Sequence, residues 1–225
     1  GRIIGTNVTG GEDTFPGITG TGIAKVFDFN AGRVGLNDAQ AKDAGYEPVT
    51  SLVTGDEHAG YYPGSREFLV KLVADGKTGR VLGTQAVGPG DIAKRIDVLA
   101  AAITGGLTLD ALANLDLAYA PPFNSAMDPL HDAANVIRNK LDGRARGLSP
   151  AEVKARMDGN DDFVLLDVRS REEWQELRLP DRRLTLIPVQ ELRQRAGELP
   201  KDREIVIYCR TSIRAYAAEK ILEGL

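Results

Sequence analysis

The pattern of apolar segments changes at residues 142–147, and this change limits the possible folds more than any other feature of the sequence. Before it, the strand-like segments 67–75 and 80–87 flank Asp75-Gly76-Lys77-Thr78-Gly79, a composition typical of a hairpin turn. After it, short apolar strands alternate with helical segments, which indicates a parallel sheet. We therefore predict an α+β domain with an antiparallel sheet and helices, followed by an α/β domain with a parallel sheet.

The segment at the change has the composition of a linker. It is polar, and Gly143 and Gly147 lie among charged residues. A chain of 225 residues, 42% of them apolar, is long enough for two ordinary domains with a core each. We expect Ser149 to cap the first helix of the second domain, with Pro150 at its first position.

Periodicity and capping residues predict the other elements. In the first domain we predict strands over 22–29 and 49–54, and helices over 38–44, 91–104, 109–114 and 128–141. In the second domain we predict strands over 163–168 and 204–208, and helices over 172–177, 189–196 and 215–222. Asn37 and Thr108 are the expected N-caps of two of these helices.

Several function classes are disfavoured by composition. A net charge of −4 gives no reason to expect a nucleic-acid partner, and the longest apolar stretch, 98–103, is too short to cross a bilayer. His58 and His131 are far apart and lack the spacing of metal ligands, so we expect no metal site. A single cysteine excludes an internal disulfide and favours a reducing cytoplasm.

That cysteine, Cys209, lies where a reactive thiol would be built. It follows the apolar strand 204–208 and begins a short loop that leads into a helix. Loop amides, a helix N-terminus and the flanking Arg210 and Arg214 would favour the thiolate, which is the nucleophilic form. The alternative is a small buried core cysteine, but the strand–loop–helix context and the arginines favour the reactive interpretation.

The length of the loop separates two kinds of cysteine chemistry. A cysteine phosphatase also needs a thiolate in an anion-binding loop, but its arginine comes after five intervening residues. That register gives Ala215 here, whereas four intervening residues lead to Arg214. The spacing therefore argues against a phosphatase.

With this loop, the segment from about 148 to 225 resembles the rhodanese (sulfurtransferase) family. Leu165-Leu166-Asp167-Val168-Arg169 and Glu173-Trp174 are also similar to the opening motif of that family. The resemblance implies that Cys209 accepts a sulfane sulfur as a persulfide and passes it on. It further implies that the loop residues bind the substrate: Arg210, Thr211, Ser212, Ile213 and Arg214.

Three departures from the rhodanese pattern bear on activity. Ser212 stands where the family often has glycine, at a position where a special backbone angle is expected. Leu177-Arg178-Leu179-Pro180 replaces a glycine-rich turn. The family's closing strand and helix would follow Leu225, so we expect a domain truncated at its C-terminus.

The first block resembles the dimerisation domain of the flavin-dependent pyridine nucleotide-disulfide oxidoreductases. The most specific pieces are His58-Ala59-Gly60-Tyr61-Tyr62-Pro63-Gly64 and Asp116-Leu117-Ala118-Tyr119-Ala120-Pro121-Pro122-Phe123, which are similar to the coenzyme A-disulfide reductase branch. The order of the domains matches its rhodanese-fused members. The resemblance implies residues 1–22 as the tail of an FAD-binding domain, 23–142 as the dimerisation domain, 143–148 as a linker and 149–225 as the rhodanese-like domain.

The resemblance also assigns roles in a homodimer. It implies that Tyr61 and Tyr119, with Tyr62 as a weaker candidate for the first, reach towards the partner's catalytic cysteine and the coenzyme A disulfide. A phenol hydroxyl can donate a proton or a hydrogen bond to a reacting sulfur. The segment from Ala120 through Pro121 and Pro122 to Phe123 would lie against the partner's flavin, and the intact enzyme would use FAD and NAD(P)H.

Three hypotheses follow from these patterns. The first is a coenzyme A-disulfide, persulfide or polysulfide reductase with a fused rhodanese. The second is an NADH oxidase of the same flavoprotein family, and the third is a non-catalytic dimerisation and persulfide-carrier module. Because the flavin domains and the reductase cysteine of the family precede the position of Gly1, we expect this segment alone to lack the reductase redox centre.

Overall fold

The computed structural model, which describes all 225 residues, divides into two units, Gly1–Leu141 and Asp142–Leu225. The division falls at the start of the polar, glycine-containing segment. The buried apolar clusters follow the same division, because each cluster draws its residues from one unit only.

An antiparallel five-stranded sheet forms the centre of the first unit. Its order is β1-β2-β5-β4-β3, and its strands are β1 (Gly22–Val26), β2 (Phe29–Gly35), β3 (Pro48–Asp56), β4 (Glu67–Asp75) and β5 (Val81–Gly88). The predicted hairpin is confirmed as β4–β5. Its turn is held by the buried Asp75, whose carboxylate accepts hydrogen bonds from Thr78 Oγ1 at 2.6 Å and from the Thr78 amide at 3.2 Å.

The predicted single strand over 22–29 is wrong. The chain reverses at Phe27, whose φ is 53°, and Val26 pairs directly with Phe29. The second arm of this hairpin, β2, pairs with β5 and makes Val34 part of the core. The apolar run hid the turn because Phe27 is an unusual residue for a positive φ.

Five helices accompany the five-stranded sheet. They are α1 (Arg2–Val8), α2 (Asp38–Asp43), α3 (Ala93–Thr104), α4 (Leu109–Ala113) and α5 (Pro129–Leu141). Helix α2 packs on the face opposite to α3 and α5, against Val73 and Leu82. The predicted caps are confirmed, because the Asn37 side chain accepts from the Gln40 amide and the Thr108 side chain from the Ala111 amide. The core lies between the sheet and helices α3, α4 and α5.

A parallel three-stranded sheet forms the centre of the second unit, in the order β7-β6-β8. Its strands are β6 (Phe163–Asp167), β7 (Leu184–Leu186) and β8 (Glu204–Tyr208), and its helices are α6 (Pro150–Asp158), α7 (Arg171–Glu176), α8 (Leu192–Arg195) and α9 (Ile213–Glu223). Ser149 caps α6 as predicted, with Pro150 at its start. The two sheets confirm the predicted fold class.

The predicted helix over 189–196 starts too early. The amides of Ile187 and Val189 donate to the carbonyls of Asp167 and Val168, so this part of the chain extends alongside the end of β6. Helix α8 therefore begins only at Leu192. None of the helices of either unit is both long enough and apolar enough to span a membrane.

Candidate functional site

Cys209 lies at the carboxyl end of β8, beside the end of β6. The two strands pair in parallel as far as Asp167 and Tyr208, and the Val168 amide donates to the Tyr208 carbonyl at 3.3 Å. The Cys209 side chain is half-buried and packs against the apolar cluster of the second unit. Cys209 therefore contacts the core, as a structural cysteine would, and is also partly exposed, as a reactive cysteine must be.

The loop after Cys209 depends on one strained residue. Ser212 has φ 70° and ψ −21°, in the left-handed region, and its carbonyl accepts the Tyr216 amide in the first turn of α9. The special backbone angle expected at this position is therefore present, but without glycine. The conformation turns the chain directly into α9, so that the positive end of an 11-residue helix follows the cysteine loop.

Arg214 is tied to α7. Its Nη1 and Nη2 donate to the Glu173 carboxylate at 2.6 and 2.8 Å. Glu173 also accepts the Ser170 amide at 3.0 Å in a capping box. Hydrogen bonding from Arg214 lowers the pKa of Glu173 to about 2, and the pKa of Arg214 is raised by Glu173 first and also by Cys209. The structure therefore brings Arg214, Glu173 and Cys209 together.

A second charge pair fixes the strand ends under the loop. The fully buried Asp167 accepts the Tyr208 hydroxyl at 2.6 Å and Arg169 Nη2 at 2.7 Å. Arg169 also donates to the Leu177 carbonyl at 2.7 Å. Burial, and then the hydrogen bond to Asp167, raises the pKa of Tyr208, so its phenol stays neutral. This arrangement holds the residue before Cys209 in place.

The other loop residues face outwards. Arg210 and Ile213 are exposed, and Thr211 is half-buried. No side chain of the loop other than Arg214 forms an ion pair with a carboxylate. The loop therefore offers one unpaired cation, Arg210, and one exposed apolar side chain, Ile213.

In the first unit, the two segments with tyrosines meet. The hydroxyls of Tyr61 and Tyr119 are 3.4 Å apart, although 58 residues separate them in the sequence. Tyr61 is 78% exposed and Tyr119 is 51% exposed. The hydrogen bond with Tyr119 raises the pKa of Tyr61. The ring of Tyr62 instead packs edge-on against His58, with 5.5 Å between the ring centroids.

A buried arginine on α3, missed by the sequence analysis, joins these segments. Arg95 is 2% exposed, and its Nη2 donates to the Glu57 carbonyl at 3.0 Å and to Asn124 Oδ1 at 2.9 Å. Its Nε donates to Asp128 at 3.1 Å. We call these residues the Arg95 cluster: Glu57, Arg95, Asn124 and Asp128. A charged residue between Ile92 and Ile96 on an apolar helix face was the available signal.

Further backbone contacts fix the second tyrosine segment. Asn124 Nδ2 donates to the carbonyl of Ala118, directly before Tyr119, at 3.3 Å. The Ala59 amide donates to the Pro121 carbonyl at 3.2 Å, which links the two segments directly. Phe123 is 72% exposed, and its carbonyl accepts Lys94 Nζ at 2.8 Å. Two exposed phenols and an exposed phenyl ring are therefore presented on a rigid backbone.

Two family models match the chain. Residues 22–131 match the pyridine nucleotide-disulphide oxidoreductase dimerisation domain. Residues 149–225 match the rhodanese-like domain.

Curated proteins match part of the chain, and two solved structures match nearly all of it. The chain is 44% identical over 138 residues to an NAD(P)H sulfur oxidoreductase (CoA-dependent) from Pyrococcus furiosus. The matched residues make up 61% of this chain and 31% of that protein. An NAD-dependent persulfide reductase from A. fulgidus superposes with a TM-score of 0.89 at 45% identity, over 99% of this chain and 40% of that chain. The reduced CoADR-RHD protein of Bacillus anthracis superposes with the same score at 33% identity and the same coverage. The chain thus spans less than half the length of these relatives.

Proposed function

Because this chain belongs to the pyridine nucleotide-disulphide oxidoreductases through its first domain and to the rhodanese-like proteins through its second, we propose that it works in an FAD-dependent NAD(P)H oxidoreductase. The proposed substrate of this enzyme is coenzyme A disulfide, coenzyme A persulfide or polysulfide. In this proposal Cys209 carries sulfane sulfur. The matches confirm both resemblances seen in the sequence. The reaction would belong in a reducing cytoplasm, where a lone thiol stays reduced.

The sulfur-transfer step uses the thiolate of Cys209. The thiolate attacks the outer sulfur of a donor R–S–S⁻, so that a bond forms between Cys209 Sγ and that sulfur while the S–S bond of the donor breaks and R–S⁻ leaves. An acceptor thiolate then attacks the outer sulfur of the persulfide and restores the Cys209 thiolate. The position of Cys209 between β8 and the N-terminal end of α9 supports this role, because loop amides and the helix dipole favour an anionic sulfur.

The paired tyrosines support a thiol or disulfide substrate. The phenol of Tyr61 is neutral at physiological pH because its ordinary pKa is about 10, and the hydrogen bond with Tyr119 raises that pKa further. Such a hydroxyl can stabilise a departing thiolate by donating a hydrogen bond or a proton to it. We propose that each protomer of a homodimer supplies Tyr61 and Tyr119 to the site of its partner.

The segment after Tyr119 has the properties needed to hold one side of a flavin. Pro121 and Pro122 restrict the backbone, and the exposed Phe123 ring offers an apolar surface to a planar aromatic group. FAD would supply the electrons that NAD(P)H delivers. The residues of this chain would position the substrate sulfur.

The single observation that carries the proposal for the second domain is the six-residue span from Cys209 to Arg214 at a strand–helix junction. Incubation with a sulfane-sulfur donor should add the mass of one sulfur atom to the chain, and dithiothreitol should remove it. Because Cys209 is the only cysteine, this mass assigns the persulfide without further mapping.

The matched variant is Cys209→Ser, which should gain no sulfur and should transfer none to cyanide. If the unmodified chain forms the persulfide but does not turn over with any acceptor, the carrier alternative is correct. If neither thiosulfate nor coenzyme A persulfide produces the adduct, Cys209 has no role in sulfur transfer.

A further inference from the structure

We propose that Arg95, acting through Asn124, is the positioning residue that holds Tyr119 at hydrogen-bonding distance from Tyr61. Arg95 is buried, so its effect on a reaction would be exerted through the two phenols and not by contact with a substrate. The assignment rests on the proposed function for the step that the tyrosines serve. It adds to that function the residues that fix the distance between the two hydroxyls.

One guanidinium nitrogen contacts the ends of both tyrosine segments, which are residues 58–64 and 116–123. Arg95 Nη2 donates to the Glu57 carbonyl at 3.0 Å and to Asn124 Oδ1 at 2.9 Å. Glu57 directly precedes the first segment, and Asn124 directly follows the second. Because this nitrogen has two hydrogens and both are used, a displacement of the guanidinium would disturb both contacts together.

The side-chain amide of Asn124 transmits this contact to Tyr119. Its oxygen accepts from Arg95 Nη2 and also from the Ser125 amide at 3.0 Å. Its nitrogen is thereby directed at the Ala118 carbonyl, to which it donates at 3.3 Å. Ala118 is bonded to Tyr119, so Arg95 orients the amide that anchors the backbone at this tyrosine.

The guanidinium is itself fixed on its other sides. Its Nε donates to Asp128 at 3.1 Å, and its Nη1 donates to the Asp91 carbonyl at 3.2 Å. A lysine at position 95 could keep the ion pair with Asp128, but an ammonium group lacks the planar fork that reaches acceptors on several sides. Holding the two segments therefore requires the shape of the guanidinium in addition to its charge.

The tyrosine rings depend on these backbone anchors for their spacing. The hydroxyls of Tyr61 and Tyr119 are 3.4 Å apart, which is long for a hydrogen bond between two hydroxyls, so a small displacement would break it. Both side chains are exposed over more than half of their surface, so packing does little to hold them. The positions of the two backbone segments therefore decide whether the phenols meet.

The first test uses the pKa of Tyr61, which the hydrogen bond with Tyr119 raises. Asn124→Ala removes the anchor of the second segment and keeps the buried ion pair of Arg95. Ala118 is exposed, so water can replace the lost contact at its carbonyl without unfolding the unit. We expect Asn124→Ala to lower the pKa of Tyr61 to the value that it has in Tyr119→Phe. Arg95→Lys should have the same effect.

The measurement is ¹⁹F NMR of the chain labelled with 3-fluorotyrosine, which ionises at a lower pH than tyrosine. The signal of Tyr61 is identified by its loss in Tyr61→Phe. The matched control is Arg138→Lys, the same substitution in the same unit. Arg138 contacts Asp110 at 2.7 Å and Asn135 at 2.9 Å, both outside the tyrosine segments, so this variant should leave the pKa of Tyr61 unchanged.

The second test uses a protein that joins this chain to FAD- and NAD(P)H-binding domains. Asn124→Ala should lower kcat with coenzyme A disulfide by about tenfold to a hundredfold, because the hydroxyl of Tyr119 is no longer placed at the departing sulfur. The rate of reoxidation by oxygen should not change. In a Tyr119→Phe background, Asn124→Ala should lower kcat no further. A merely structural role predicts losses with both oxidants that add to the effect of Tyr119→Phe.

The proposal is overturned if Asn124→Ala leaves the pKa of Tyr61 at its original value, or if it slows the reactions with coenzyme A disulfide and oxygen equally. Because Asn124→Ala keeps the buried ion pair, its result decides the question even if Arg95→Lys fails to fold. The pKa measurement requires neither flavin nor turnover. If Tyr119→Phe leaves kcat unchanged while Asn124→Ala lowers the pKa of Tyr61, the proposed role of the tyrosines in the reaction is refuted and their positioning by Arg95 is supported.

Discussion

At the scale of single residues, Ser212 shows how the cysteine loop is made. Its φ of 70° is a conformation in which a non-glycine residue is disfavoured by roughly 1–2 kcal/mol. The polar serine side chain is short enough to be accommodated, whereas a β-branched side chain would be strongly strained there. The loop that carries Cys209 is therefore held in a conformation that its own sequence opposes.

Substitutions at Ser212 should follow this strain. Ser212→Gly should stabilise the second unit by up to about 1 kcal/mol, because the relief of strain exceeds the added entropy of the unfolded chain. Ser212→Val should destabilise it by about 2 kcal/mol. Urea unfolding followed by the fluorescence of Trp174, the only tryptophan, measures both values.

The matched control is the same change at a serine without strain. Ser149 has φ −72°, and its side chain accepts the Glu152 amide, so Ser149→Gly should destabilise by a few tenths of a kcal/mol. If Ser212→Gly lowers the free energy of unfolding as Ser149→Gly does, Ser212 is not strained in the way proposed.

At the scale of elements, the Arg95 cluster joins helix α3 to both tyrosine segments. Arg95 and Asp128 are 2% and 1% exposed, so each would be an unpaired charge in the interior without the other. Asp128 also accepts the Leu130 amide at the start of α5. The helices and the tyrosine-bearing loops are thus connected through one buried ion pair.

Loss of Arg95 should therefore lower the free energy of unfolding, and a second substitution at Asp128 should restore part of it. Arg95→Met should destabilise the first unit by about 3–5 kcal/mol because Asp128 loses its partner. Arg95→Met/Asp128→Asn should lose clearly less, since no buried charge remains. Lys94→Met, next in sequence but half-buried, should lose only about 1 kcal/mol. Amide hydrogen exchange in β4 measures the stability of all three variants. A double variant that loses more stability than Arg95→Met alone would contradict a buried ion pair.

Local signals predicted most elements correctly. The turn at Asp75–Gly79 and the caps at Asn37, Thr108 and Ser149 are determined by neighbouring residues, and the structure confirms them. The strand 22–29 was wrong because a turn at Phe27 divides it into two paired strands, and the start of the helix at 189 was wrong because Ile187 and Val189 hydrogen-bond to the end of β6. Long-range partners of this kind leave no trace in a short window of sequence.

Among the residues of the candidate sites, too, only those with nearby partners in the sequence could be predicted. Cys209 and Arg214 could be found because strand, loop and helix are contiguous. The roles of Glu173 and Arg95 could not be found, because their partners lie 41 and 33 residues away in sequence. A capping glutamate and a helical arginine are ordinary residues until the fold supplies those partners.

At the scale of the whole molecule, the two units present different reactive groups. The first unit presents the tyrosine pair, and the second presents the single thiol. A reductase would convert a disulfide into two thiols, or a persulfide into a thiol and sulfide, and a rhodanese would accept or deliver sulfane sulfur. Their presence in one chain would raise the effective concentration of a persulfide passed between them.

The tyrosine pair separates the disulfide reductase from the NADH oxidase alternative. We expect Tyr61→Phe and Tyr119→Phe, in a protein that joins this chain to FAD- and NAD(P)H-binding domains, to lower kcat with coenzyme A disulfide by about 10²-fold, because the departing sulfur loses a hydrogen-bond or proton donor. Reoxidation by oxygen has no departing thiolate and should be unchanged.

Stopped-flow flavin absorbance measures the rates of both reactions. The control is Tyr46→Phe, because Tyr46 is half-buried against another part of the first unit. Equal effects on the two oxidants would favour the oxidase, since the hydroxyls would then serve no sulfur-specific step.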